Sequence, residues 1–241
     1  MAGRFQLVKH AYAHRGLWTP GGLSENSLEA ILAAADAGLG CEIDVRPAAC
    51  GTPVVFHDTQ LDRTTDETGP VNARTAEALT DIPLKGRGTL TTLEQVLDEW
   101  PGNAPLLIEL KIDSETDTPV FTKKVAELAE AHNGPAALMS FSDLAVREIP
   151  GSLMRGALVM PSALSGNLNL EALVTAAKEL NPDYLACHVT DAENICSMAS
   201  DHELPVAAWT VTSADMSAFL KTLPVAQIFE GFDPHFAQTA T

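Results

Sequence analysis

Along the 241-residue chain, short runs rich in apolar and β-branched residues alternate with segments whose apolar positions recur every three or four residues. The first pattern predicts strands and the second amphipathic helices. Nine runs qualify as strands: QLVKHAYAH, CEIDV, PVVFH, PLLIELK, AALMSF, LMRGALVM, YLACHV, LPVAAWTV and AQIFE. Helical spacing is found in Ser27 to Ala37, Thr92 to Trp100, Pro119 to His132, Asn169 to Leu180 and Ala214 to Thr222, with Gly or Pro at most of the ends. Asn26 with Glu29 three residues on predicts a capping-box variant opening the first helix.

Strands alternating with helices build βα units around a parallel sheet, and this length suits one TIM (β/α)8 barrel, an α/β fold occupying residues 1–241 as a single domain. Eight strands close such a barrel, so one of the nine candidates falls outside it or in a distorted part. The link from Arg46 to Thr52 is too short for a crossover helix. Either PVVFH pairs with CEIDV as a hairpin or the barrel lacks a helix there. Residues 58–90, rich in Thr, Asp, Gly and Pro and weakly periodic, read as a long loop or small subdomain inserted after the third strand.

Composition narrows the range of partners. Hydrophobic residues at 46% and charged residues at 20% are the balance of an ordinary globular chain. Fifteen Lys and Arg against 32 Asp and Glu leave a formal charge of −17, which argues against nucleic-acid and anionic-membrane surfaces. A small phosphate substrate stays compatible, because a bound cation inverts the field inside an acidic cleft. No run approaches the ~18 apolar residues of a membrane span. Nor is there a long basic amphipathic stretch to dock on lipid, so no stable membrane association is expected. The first residues lack the apolar core of a signal peptide, and a cytoplasmic address is expected. Cys41, Cys50, Cys187 and Cys196 show no CxxC spacing and are expected to be reduced.

The chemistry starts in GCEIDV, residues 40–45. On a strand, residues two apart share a face, so Glu42 and Asp44 point one way while Cys41, Ile43 and Val45 point the other. Glu109 and Lys111 repeat the arrangement in IELK. His14 and Arg15 end one strand, His57 and Asp58 another, and in a closed parallel barrel the strand ends gather at the rim where barrel active sites lie. Packed carboxylates resist ionisation through desolvation and mutual repulsion, a conflict that a hard divalent cation removes. Glu42, Asp44 and Glu109 suit such a site, with Mg²⁺ or Ca²⁺ as the cation. The alternative is a structural ion network pairing Glu42 and Asp44 with Arg15, Arg46 or Lys111.

These residues carry a family resemblance. His14-Arg15-Gly16, Glu25-Asn26-Ser27, Glu42-Ile43-Asp44, Val54-Val55-Phe56-His57-Asp58, Leu61-Asp62-Arg63-Thr64-Thr65, Thr92-Leu93-Glu94, Glu109-Leu110-Lys111 and Trp209-Thr210-Val211 resemble, in order, the motifs of the glycerophosphodiester phosphodiesterase family. The resemblance implies a phospholipase-C-like TIM barrel that hydrolyses glycerophosphodiesters to sn-glycerol 3-phosphate and an alcohol. It matches Glu42, Asp44 and Glu109 to metal ligands, His14 and His57 to an acid/base pair, and Arg15 and Lys111 to phosphate-contacting positions. It also implies attack by the substrate's own 2-hydroxyl through a cyclic phosphate, although direct attack by water needs the same residues. A cyclising lyase and a catalytically silent phosphodiester-binding barrel are the alternatives.

Two departures bear on substrate positioning. Thr212 stands where the family has Asn after Trp-Thr-Val, and Phe229-Glu230-Gly231-Phe232-Asp233-Pro234 replaces a Thr-Asp-x-Pro pattern, with Glu230 keeping an acidic group. Trp209 and Phe141 are candidates for an apolar wall against the glycerol carbons, or for plain core. His10, His132, His188, His202 and His235 read as surface or structural residues, with His188 placed to face the rim. Asp58 is a candidate orienter of His57, a contact that requires a turn there, and Glu25 can brace the site.

Overall fold

The computed structural model describes residues 4–166, 168–200 and 204–238. Its elements follow in the order β1 (Ala11–His14), α1 (Leu28–Asp36), β2 (Gly40–Pro47), β3 (Pro53–Val55), α2 (Ala76–Thr80), β4 (Thr91–Thr92), α3 (Leu93–Glu99), β5 (Leu106–Leu110), α4 (Thr118–Ala131) and β6 (Ala136–Ser140). After these come α5 (Asp143–Glu148), β7 (Met154–Leu158), α6 (Leu170–Lys178), β8 (Tyr184–His188), α7 (Ala192–Ser200), β9 (Val206–Val211), α8 (Ala214–Leu220) and β10 (Val225–Phe229). Strands β1, β2 and β5 to β10 pair in parallel, and β1 pairs with both β10 and β2, so the ring closes on eight strands. The expected α/β TIM barrel is the observed fold.

The surplus strand is PVVFH, and it takes the hairpin option. β2 runs past the barrel to Pro47 and turns back, pairing Val45 with Val55 and Arg46 with Val54 in an antiparallel ladder. The two-residue β4, absent from the sequence reading, adds to β3 and leads straight into α3. The hairpin and residues 58–90 therefore lie between barrel strand β2 and its crossover helix. Val54, Phe56, Leu61, Val71, Leu79, Ile82, Leu84 and Leu90 bury against one another there in a cluster separate from the barrel's. The run QLVKHAYAH shortens to Ala11–His14, because Leu7–Lys9 form a turn of 3-10 helix.

Two apolar layers hold the barrel. Outward residues of β2 and β5, Cys41, Ile43, Val45, Ile108 and Leu110, pack under the helices. Inside the ring a smaller cluster of Leu7, Tyr12, Leu107, Met139, Leu158, Tyr184, Ala207 and Ile228 fills the interior. Gly40 makes room for Tyr12, since a Cβ at Gly40 would sit 2.6 Å from the ring's Cδ1. Above that plug the inward positions turn polar.

The helices start as caps dictate, with one correction. Thr92, Asp117, Asn169 and Ser213 accept hydrogen bonds from the backbone N–H three residues on. At α1 the cap is Ser27, bonded by Ala30 N, not Asn26. Asn26 sits at φ +57° and is spent on the site described below. Helices α2, α5 and α7 lie outside the five helical segments picked out by spacing, being short or weakly periodic.

Candidate active site

The inward face of β2 carries Glu42 and Asp44, and the register sets Asp44 beside Glu109 of β5 and His14 beside Glu42. Carboxylate oxygens of Glu42, Asp44 and Glu109 lie within 4.8 Å of one another, all three residues buried. Lys111 reaches in at 2.6 Å from Glu109 Oε1 and 3.0 Å from Asp44 Oδ1. Arg15 Nε lies 3.1 Å from Asp44 Oδ2, which also accepts a 2.9 Å hydrogen bond from Asn26 Nδ2. Three acids thus face two cations.

The electrostatics follow from that count. Burial pushes the Glu42 carboxyl well above the ordinary range, with Asp44 and Glu109 adding repulsion. Burial likewise pushes Glu109 up to about 7, although Lys111 pulls the other way. Burial would raise Asp44 as well, but Lys111 and Arg15 overcome it and hold the group below its usual value. Glu42 Oε2 is buried with no hydrogen-bond partner, and His14 Nε2 lies 3.8 Å away. Arg46, one partner expected of a structural ion network, pairs with Asp113 instead. An all-oxygen set with an orphaned buried carboxylate oxygen is what a hard divalent cation would complete, so these residues fit one.

The two histidines are built alike. His14 Nδ1 lies 2.6 Å from Glu230 Oε2 at the end of β10, and His57 Nδ1 lies 2.7 Å from Asp58 Oδ1. Each contact is a hydrogen bond when Nδ1 carries the proton, which leaves Nε2 as the ring nitrogen free for other work. β3 ends at Val55, so the chain has already turned where Asp58 meets His57. Burial lowers the His57 pKa from its ordinary value, with Asp44 opposing that shift and Lys111 and Arg15 adding to it.

Arg63 ties the halves together. Its guanidinium holds Glu25 through two 2.7 Å bonds and contacts both oxygens of Asp58, while Glu25 Oε1 also accepts from Arg15 at 2.8 Å. One cation in the 58–90 segment thereby connects the His57 side to the Arg15 side. Asn26 extends the bracing, since its Oδ1 accepts from Asp44 N while Asp44 takes its Nδ2. At the start of this loop Gly16 has φ +86°, and a Cβ there would sit 2.5 Å from Ala30 C, so this turn admits only glycine.

A cavity of about 220 Å³ opens over the cluster, lined by His14, Arg15, Glu42, His57, Glu109 and Lys111 on one side. Met139, Phe141, Leu158, Trp209, Thr210 and Ile228 form the other side. Trp209 packs edge-on against Phe141 at 5.8 Å and against His188 at 5.4 Å. Of the site residues singled out in the sequence, all but Asp44 line this cavity, and Asp44 is buried in the carboxylate cluster with Glu42 and Glu109. His188 stands at the rim as expected, His132 is buried at the end of α4, and His202 lies outside the described residues. Met139, Leu158 and Ile228 escaped the sequence reading because inward strand residues look like any other core. All four cysteines are free thiols.

Fold and site together define a class: closed parallel (β/α)8 barrels whose C-terminal rim sets a cation-ready acidic cluster beside paired imidazoles. The particular family comes from the whole sequence. The model of the glycerophosphoryl diester phosphodiesterase family matches residues 14–230, and the chain belongs to that family. Among solved structures it is similar to a glycerophosphodiester phosphodiesterase from Parabacteroides distasonis, at 21% identity over 94% of both chains and a TM-score of 0.77. A phosphodiesterase from Oleispira antarctica in complex with the product sn-glycerol-3-phosphate matches at 23% identity over 94% of both chains, TM-score 0.77. A third, from Thermotoga maritima, matches at 20% identity over 95% of this chain and 96% of that one, TM-score 0.74. These likenesses establish the fold. An uncharacterized protein of Mycobacterium tuberculosis is 31% identical over 103 residues, 36% of this chain and 34% of that one, so the chain spans about a third of the length of the curated relatives it matches. Among the described residues no helix is long and apolar enough to cross a membrane.

Proposed function

We propose that this protein is a metal-dependent glycerophosphodiester phosphodiesterase, acting as one catalytic domain with 58–90 inserted in it and releasing sn-glycerol 3-phosphate and an alcohol. The observation that carries the reading is one cavity lined by His14, His57, Glu42 and Glu109, with Asp44 completing the buried carboxylate cluster. Glu42, Asp44 and Glu109 would hold Mg²⁺ or Ca²⁺, hard cations that take oxygen ligands. When bound, the cation supplies Lewis-acid charge to offset the phosphodiester's negative oxygens.

The chain's own residues do the rest. Arg15 and Lys111 add fixed positive charge beside the acidic cluster, where a phosphodiester anion requires it. His57, whose pKa burial depresses, is neutral at neutral pH and suits proton abstraction from the attacking hydroxyl. His14, oriented through Nδ1 by Glu230, suits proton donation to the leaving alkoxide from Nε2. Asp58, gripped by Arg63, holds the His57 ring in the corresponding tautomer. Trp209 and Phe141 form the wall against the substrate's carbon face. The product complex of the Oleispira antarctica neighbour supports a small-molecule substrate of this kind. An acidic, non-basic surface supports the absence of a nucleic-acid partner.

The test is turnover of glycerophosphocholine and glycerophosphoethanolamine with and without chelator, alongside Glu42→Gln and His57→Ala. Activity lost in chelator and in both variants supports the assignment; undiminished activity in both variants rejects it. Cyclic phosphate accumulating without glycerol 3-phosphate would make the protein a lyase.

A further inference from the structure

The cavity is two-faced, and exposed apolar residues follow the strands that form its apolar face. The polar residues come from the β1, β2 and β5 side, whereas Met139 and Phe141 of the β6 end, Leu158 of β7 and Trp209 of β9 form the other wall. Phe141 lines the cavity and is 39% exposed. Leu144, in the first turn of α5, follows at the same rim, and Met160, Leu164 and Leu168 follow in the loop after β7. Leu164 is 75% and Leu168 59% exposed, which costs a monomer the hydration of large aliphatic side chains. Five of the nine large hydrophobic residues exposed among the described ones fall between the end of β6 and the first turn of α5 or in the loop after β7. Scattered exposed leucines need no explanation, but a group beside a site does.

Charge says what covers them. From Gly156 to Leu170 the chain has no charged residue, although 20% of the whole is charged. A loop on the surface of a chain carrying −17 that is both uncharged and leucine-bearing is matched to a neutral hydrocarbon ligand. It has no basic side chain with which to hold an anionic bilayer. Phe141 belongs both to the cavity wall and to this exposed group, and the group follows the neighbouring strands β6 and β7, so a ligand held in the cavity has a route onto it.

We infer that the rim formed by Phe141, Leu144, Met160, Leu164 and Leu168 is a subsite for a hydrocarbon chain carried by the substrate, so that the preferred glycerophosphodiester is a single-chain amphiphile. The inference rests on the proposed reaction for the identity of the polar headgroup. The chain is borne on the glycerol or on the leaving alcohol, two sources with the same chemistry. Each methylene taken out of water favours binding by about fourfold.

The experiment compares kcat/KM for glycerophosphocholine, its 1-octanoyl ester and the octyl ester of glycerophosphate, the last two below micelle-forming concentrations. At least a tenfold preference for one eight-carbon substrate is expected, and which one locates the chain. Leu164→Asn/Leu168→Asn should cut that preference at least tenfold, with Met160→Ser as a single change of the same sense should the double variant fold poorly. Calorimetric binding of octylphosphocholine against phosphocholine gives the same comparison without turnover. If no substrate is turned over, the reaction fails while the binding ratio still decides the subsite. Equal values for chain-bearing and chain-free ligands, or a preference the variants leave intact, overturn the inference. So does binding to phosphatidylcholine vesicles without monomer chain preference, which makes the patch a bilayer face, or self-association abolished by the variants, which makes it a contact between copies.

Discussion

Glu42→Gln distinguishes a cluster built for a cation from one built for the fold. Glu42 is 2% exposed, its Oε2 lacks a hydrogen-bond partner, and its nearest ring nitrogen is 3.8 Å away. Burial first, then Asp44 and Glu109, push its proton affinity up. Burial, with Asp44 adding repulsion against the pull of Lys111, takes Glu109 from 4.5 to about 7, and a shift of that size corresponds to about 3 kcal/mol between the protonation states. A carboxyl raised in the folded state keeps a proton that the unfolded chain releases. Metal-free stability therefore falls as pH climbs from 4.5 toward 7, the interval over which Glu109 differs between the two states. Removing the Glu42 charge should raise metal-free stability at pH 8 by about 1–3 kcal/mol. At ~2–4 °C per kcal/mol for a chain of this size, that is several degrees in Tm. The gain should shrink toward pH 5, because burial and the neighbouring carboxylates favour the protonated form of the wild-type group. Cation at a hundred times its Kd should stabilise the wild type by about 2.7 kcal/mol and leave the variant nearly unmoved. Thermal melts from pH 5 to 8 in chelator and in Mg²⁺ or Ca²⁺ read all of this. A variant that melts below wild type in chelator at pH 8, or gains as much from cation, would refute the reasoning.

Three further outcomes follow from the geometry. Arg63→Ala should lower kcat by roughly 10- to 100-fold with the fold retained, since it takes one partner from each of Asp58 and Glu25, and added guanidinium should restore part of the loss where Arg63→Lys does not. Glu230→Gln should lower kcat far more than it changes KM, by about 10-fold or more, with Glu230→Asp no full substitute because the 2.6 Å contact depends on side-chain length; equal kcat in both variants would exclude a role in orienting His14. The rate should rise with pH through a midpoint below 6.5, because a base must be unprotonated and burial depresses His57, and Asp58→Asn should move that midpoint lower still by removing a bond that favours the protonated ring; a wild-type midpoint above 7 would contradict the assignment of His57 as base.

The alternation in CEIDV and IELK was enough, without coordinates, to put Glu42 with Asp44 and Glu109 with Lys111 on shared faces, because a strand's two-residue repeat is local geometry. The order of strand and helix patterns was likewise enough for the barrel, since βα units of this length have few ways to close. What lay beyond reach depended on contacts between distant parts of the chain. Glu230 meets His14 across 216 positions, and Arg63 meets Glu25 across 38, from a segment with no periodicity to mark it. Asn26 looked like a cap because its local context is that of a cap, yet Ser27 takes the role and Asn26 turns, at positive φ, toward Asp44. PVVFH had the composition of a barrel strand, and only ring closure between β1 and β2 excluded it. Local pattern sets which face a side chain occupies; which partner waits on that face is settled by the closing of the sheet, since hydrogen bonds and charge pairs act over a few ångströms of space and not along the chain.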